Sequence, residues 1–137
     1  MTAPAGERDE LPIVGDDDVV KVRQLVRAFA LKARLSLVDQ TKLVTAASEL
    51  ARNTLNYGGG GTATIEQVSN VRRRGIRAVF VDEGPGIPDI DLALTDGWTS
   101  GNGMGLGLSG ARRLVDEFEV ETEVGRGTTV SIVKWAR

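Results

Sequence analysis

Four short stretches of this sequence combine residue types that could do chemistry at spacings that bring them together. "ELARN" sets Glu49 and Asn53 four residues apart, so a carboxylate and an amide share one face of a helix; the plainer reading is an exposed polar stripe. "DEGPG" (82–86) places an acid before two spaced glycines. A carboxylate there can accept a hydrogen bond from an exocyclic amine, while Gly84 and Gly86 let a planar base lie on the backbone. The same residues, with Pro85 at a corner, also make an ordinary tight turn. "TSGNGMGLGLSG" (99–110) holds five glycines in twelve positions. Gly101, Gly103, Gly105 and Gly107 lead into a helix expected near Leu108, and bare N–H groups at a helix start suit phosphate oxygens. "GRGT" (125–128) taken alone is a hairpin turn.

Two familiar phosphate loops do not fit. No lysine follows a glycine, so the Gly-Lys-Ser/Thr loop of P-loop nucleotidases is absent. Gly105, Gly107 and Gly110 satisfy the spacing GxGxxG, but that pattern has meaning directly after a buried strand, and "LTDGWTSGNGM" reads as loop. Composition narrows the chemistry further. The chain has no cysteine and no histidine, which removes thiolate chemistry, the usual zinc ligands and the commonest general base. A net charge of -2 gives no global field to draw nucleic acid or an anionic membrane. No apolar run is long enough for a membrane span and no signal-peptide layout opens the sequence, so a cytoplasmic protein is expected. With 41% hydrophobic and 26% charged residues in 137, one soluble globular domain is the expectation.

The elements that must position these stretches follow from periodicity and end signals. "LPIV" (11–14) reads as a short edge strand, where Pro12 is tolerated. Acids at 16–18 mark a helix start, capping it rather than holding a metal. Val19, Val22, Val26, Phe29 and Ala33 then recur at helical spacing. A second helix is expected from Ser36, capped by Ser36 and Asp39 and ended by the glycines at 58–61; its apolar face carries Leu43, Ala47, Leu50 and Thr54. Two alternating strands (62–69 and 76–82) flank a turn, "NVRRRG". Ala63, Ile65 and Val68 are taken as inward, and the three arginines as a solvated turn with no aromatic beside them for bases to stack on. A loop with one helical turn near Leu92 follows, then a helix over 108–118 including Phe118, then strands at 119–124 and 128–135. Trp135 is expected to pack in the core or at a sheet edge, and Trp98 is either buried or an exposed anchor. This order predicts an α+β, two-layer sandwich.

At this point the chain resembles the GHKL ATPase superfamily, which shares the Bergerat ATP-binding fold: a mixed, mainly antiparallel sheet with helices on one face. The likeness covers residues 36–135. "ELARN" is similar to its N box, "DEGPG" to its first glycine box, "GNGMGLGL" to its second and "GRGT" to its third. Within it, compact size and the run from Gly103 to Thr128 look most like serine kinases of bacterial partner-switching modules, of the RsbT kind. Residues 1–10, small, polar and charged, read as a flexible tail, and the resemblance implies 11–137 as a single ATP-binding kinase domain using ATP and Mg²⁺. It implies Asn53 as Mg²⁺ ligand, Glu49 as general base, and Asp82 as acceptor for the adenine amine. Gly84, Gly86, Ile87 and Thr128 would line the adenine side. Gly103, Met104, Gly105, Leu106, Gly107 and Leu108 would close over the phosphates.

The implied partners are STAS-domain antagonist proteins, phosphorylated on serine, and a PP2C-type phosphatase to be activated, with neither nucleic acid nor membrane. The chain departs from many members in carrying Asn56 where a lysine or histidine often stands. Arg52, Arg112, Arg113 and Arg126 are the cations that could compensate. Three other readings compete. A histidine-kinase module calls for a phosphoaccepting histidine in the same chain, and the gyrase, mismatch-repair and chaperone branch for further domains. An anti-sigma factor using nucleotide as a switch fits the same motifs.

Overall fold

The valine stripe that predicted the first helix is the stripe that the fold buries. In this computed structural model, which describes residues 7–95 and 107–137, α1 spans Asp16–Lys32 and buries Val19, Val22, Val26 and Phe29. Its acids serve as the cap. The Asp18 carboxylate accepts from Val14 N and Gly15 N, and the Val14 bond leads the effects that hold its pKa below the ordinary carboxylate range. Among the described residues no cluster of acids could hold a metal ion. Helix α2 spans Leu37–Asn56, and Ser36 Oγ accepts from Asp39 N at its start. Leu43, Ala47, Leu50 and Thr54 are all buried. Each fully buried Leu or Ile contributes about 1.5–3 kcal/mol relative to exposure.

Strands β1 (Arg8–Ile13), β2 (Gly61–Ser69), β3 (Arg74–Asp82), β4 (Glu117–Glu123) and β5 (Gly127–Trp135) form one sheet in the order β1-β2-β3-β5-β4. Every pairing is antiparallel. The register lines up Ala63 with Phe80 and Val130, and Ile65 with Ala78 and Ile132. These residues are buried, and α1 and α2 pack against this side of the sheet. A short helix α3 (Ile90–Ala93) follows β3, and α4 (Leu108–Leu114) packs on α2. Among the described residues no helix is long and apolar enough to cross a membrane.

Several boundaries differ from the sequence-based expectation. Strand β1 begins at Arg8, so residues 8–10 are edge strand rather than tail; they pair with Glu66, Ile65 and Thr64. Helix α4 stops at Leu114, and Phe118 belongs to β4. The alternation of Glu117, Glu119 and Glu121 outside with Phe118 and Val120 inside, paired along β5, outweighs the helical reading. Val68 stands opposite Gly75 on the other face from Ala63 and Ile65, because side chains alternate strictly along a strand. Trp135 ends a strand inside the sheet, where its ring covers Gly75 and its Nε1 donates to Glu117 Oε2 at 2.8 Å. Trp98 lies outside the described residues.

Candidate active site

Where β2 begins and β3 ends, the apolar rows of the sheet give way to polar ones. Gly61, Asp82, Thr128 and Thr122 stand side by side across β2, β3, β5 and β4. They continue the helix-facing columns of Ala63, Phe80, Val130 and Val120. The row therefore caps the core where α2 ends, and its polar atoms are tied to one another. Asp82 Oδ1 accepts from Gly84 N at 2.9 Å. The Thr122 and Thr128 hydroxyls lie 2.9 Å apart. Thr122 Oγ1 accepts from Ile87 N at 2.8 Å. Burial pushes the Asp82 carboxyl above its ordinary range, opposed by hydrogen bonds from the Gly84 and Thr128 backbones. A half-buried carboxylate in that position is poised to receive a donor.

The DEGPG loop is pressed onto the end of α2. A Cβ on Gly84 would lie 2.7 Å from Gly58 Cα, and one on Gly58 would strike the Asp82 side chain. Gly86 has φ +76°, and its carbonyl accepts from Tyr57 Oη at 3.1 Å. The expectation was that Gly84 and Gly86 make room for a base; here the atoms nearest their missing side chains are the protein's own backbone. Ile87 and Leu108, expected to touch nucleotide, have their side chains in the hydrophobic core. Ile87 contributes to the site through its N–H instead.

Glu49 and Asn53 sit on consecutive turns of α2, half-buried, as their spacing predicts. Glu49 Oε1 pairs with Arg52 Nη1 at 3.0 Å. Its Oε2 faces the start of α4: a Cβ on Gly107, whose φ is +67°, would lie 2.9 Å from it. Glycine at 107 thus allows α4 to begin against the carboxylate. The Asn53 amide has no hydrogen-bond partner among the described residues, so its oxygen is available. Of the cations considered, Arg52 stands beside Glu49, and Arg126 pairs with Glu123 at 2.8 Å while largely exposed. Gly101, Gly103, Met104, Gly105 and Leu106 lie outside the described residues. A cleft of about 400 Å³ at the strand ends is lined by Asp82, Thr122 and Thr128, and by Val81, Glu121 and Thr129 of the opposite sheet face.

Sequence reasoning missed Thr122, Tyr57 and Gly58. Thr122 had a usable signal, since alternation through "EVETEV" turns it to the same side as Val120. Tyr57 and Gly58 looked like helix-end residues and nothing more.

Residues 38–136 match the family described as histidine kinase-, DNA gyrase B-, and HSP90-like ATPase. The chain is 42% identical to serine/threonine-protein kinase RsbT of Bacillus subtilis, over 91% of this chain and 94% of that protein. It is 32% identical to the anti-sigma F factor of Geobacillus kaustophilus, over 82% of this chain and 80% of that protein. Among solved structures, the RsbU and RsbW domains of a Mycobacterium tuberculosis protein superpose with a TM-score of 0.67 at 19% identity, over 96% of this chain; this chain spans 33% of that one. The catalytic domain of histidine kinase ThkA superposes with a TM-score of 0.53 at 18% identity, over 94% of this chain and 95% of that one. These two likenesses concern the fold, and they agree with the antiparallel sheet backed by helices. The chain belongs to the histidine kinase-, DNA gyrase B- and HSP90-like ATPase family, on its serine/threonine-protein kinase branch.

Proposed function

We propose that this chain transfers the γ-phosphoryl group of ATP to a serine of a STAS-domain antagonist protein in the cytoplasm, and that it also activates a PP2C-type phosphatase. The observation that carries this reading is the placement of Glu49 and Asn53 on one face of α2, with Glu49 against Gly107, at the sheet end where Asp82, Thr128 and Thr122 are joined.

The donor set fits Mg²⁺ with ATP. Asn53 offers one neutral oxygen, and no acidic cage surrounds it among the described residues. Magnesium commonly takes few protein ligands and completes its shell with phosphate oxygens and water. When bound there, Mg²⁺ would neutralise charge on the phosphates during transfer. The protein's own groups have separate tasks. The Asp82 carboxylate accepts from the adenine amino group, while the Gly84 N–H holds the carboxylate in place. Thr128 and Thr122 fix the strand ends and, through Ile87 N, the loop after Asp82. Glu49 uses Oε2, the oxygen not engaged by Arg52, to take the proton of the attacking serine hydroxyl. A carboxylate fills this role in a chain without histidine. Gly103, Met104, Gly105, Leu106 and Gly107 cover the phosphates in this reading.

A second reading is favoured by the similarity to anti-sigma F factors: a nucleotide-dependent protein that sequesters a sigma factor. One experiment separates the two. Purified protein is incubated with γ-labelled ATP, Mg²⁺ and a STAS protein, and in parallel is used to capture sigma factors. Label on the STAS serine without sigma capture supports the kinase reading. Sigma capture without transfer overturns it.

A further inference from the structure

The nucleotide-binding reading leaves unused an arginine cluster at the opposite end of the molecule. Arg34, Arg72, Arg73, Arg74 and Arg137 line a single cleft of about 490 Å³. They come from three places: the α1–α2 connection, the β2–β3 turn and the end of β5. Arg137 pairs with Asp116. The other four have no acidic partner among the described residues. Four arginines without an acidic partner thus line one exposed cleft, a local excess of positive charge in a chain whose net charge is -2. An anionic occupant would neutralise that excess.

The cleft is built rather than loose. Asn70 Oδ1 accepts from Arg72 N at 2.9 Å and Arg73 N at 2.8 Å, and Asn70 N donates to Arg73 O. Arg34 holds φ +64°, the one non-glycine residue with positive φ among the described residues. The helix ends on either side of the α1–α2 connection expose large aliphatic side chains, Leu31 at the end of α1 and Leu37 and Val38 at the start of α2. Arginine is among the residues enriched at protein-binding surfaces. The acids of β4 at 117, 119 and 121 stand exposed on the same body and would repel a long polyanion.

We propose that this cleft docks a short acidic segment of a partner protein. Arg74 opens β3 and Asp82 closes it, so the occupant sits a full strand, about 25 Å, from the nucleotide site and binds without competing with ATP. The proposal does not depend on the kinase reading.

The test is fluorescence polarisation with a labelled hexaglutamate peptide on the full chain, at low salt and at physiological salt. Two variants are compared: the double substitution Arg72→Glu/Arg73→Glu in the exposed turn, and Arg34→Gly, which removes a guanidinium while suiting the left-handed backbone. The wild type is expected to bind the peptide, more weakly as salt rises. Arg34→Gly should weaken binding about tenfold and the double variant should abolish it, since charge-assisted hydrogen bonds carry the contact. Mg²⁺–ATP affinity, measured on the same samples, should be unchanged in both variants. No binding by the wild type overturns the proposal, as does equal binding by folded variants. Tighter binding of a single-stranded oligonucleotide of equal charge also overturns it, in favour of a nucleic-acid site.

Discussion

The substitution Asp82→Asn separates recognition from stability with opposite expected signs. The amide oxygen of the new side chain can still accept from Gly84 N, a bond of 2.9 Å in the wild type, so the turn is retained. Burial disfavours the Asp82 charge, and its carboxyl titrates above the ordinary range. The neutral amide carries no such charge, so stability at neutral pH should hold or rise. Nucleotide affinity should fall. The variant would present an N–H₂ group where a carboxylate oxygen meets the adenine amine, donor against donor. A lost hydrogen bond to a charged group is worth about 1.5–3 kcal/mol, or about 10–150-fold in Kd. The pH dependence follows from linkage. Because the folded pKa lies above the unfolded one, the Asp82 contribution to stability is fully present below the ordinary carboxylate range. It is lost as pH rises through the folded pKa. The variant lacks this slope. ATP binding runs the other way in the wild type, weakening as pH drops through the same folded value. Calorimetric titration with Mg²⁺–ATP and thermal melts across pH 4–8 (about four units, spanning the titration) read both quantities. A folded variant whose ATP affinity stays within about threefold of wild type refutes the adenine assignment, and a clearly lower Tm at neutral pH refutes the desolvation argument.

Glu49→Gln should keep ATP affinity while slowing phosphoryl transfer about 10²–10⁴-fold, the usual contribution of a general base; single-turnover transfer at wild-type speed would remove Glu49 from the proton transfer. Asn53→Ala should abolish the gain in ATP affinity that Mg²⁺ provides, measured by titrating nucleotide with and without the metal; an undiminished gain would place the metal elsewhere. Thr122→Val leaves the Ile87 N–H, a buried residue's donor, without its acceptor. That should destabilise the fold by about 2 kcal/mol, lowering Tm by about 6–8 °C in a domain of this size, and an unchanged melt would show that another group takes over the bond.

Local signals in the sequence determined a good part of this protein. Helical spacing and caps placed α1 and α2, because Asp18 and Ser36 act on backbone groups three or four residues away. The helix period also put Glu49 and Asn53 on one face before any neighbour was known. Turn residues located both hairpins. Tertiary structure decided what those faces meet. Strand register brought Thr122 beside Thr128 and under Ile87, 35 residues earlier. Packing at the end of α2 set Gly58 against Asp82 and linked Tyr57 to Gly86. Pairing with neighbours made a strand of residues from Arg8 and cut α4 short at Leu114. It also gathered arginines from three separate places in the chain into one cleft, where the sequence showed only a charged turn. A periodic pattern reports which side of an element is apolar; it carries no information on how far along a neighbouring element the contact falls. That distance is fixed by register and interlocked packing, which act on residues remote in the chain.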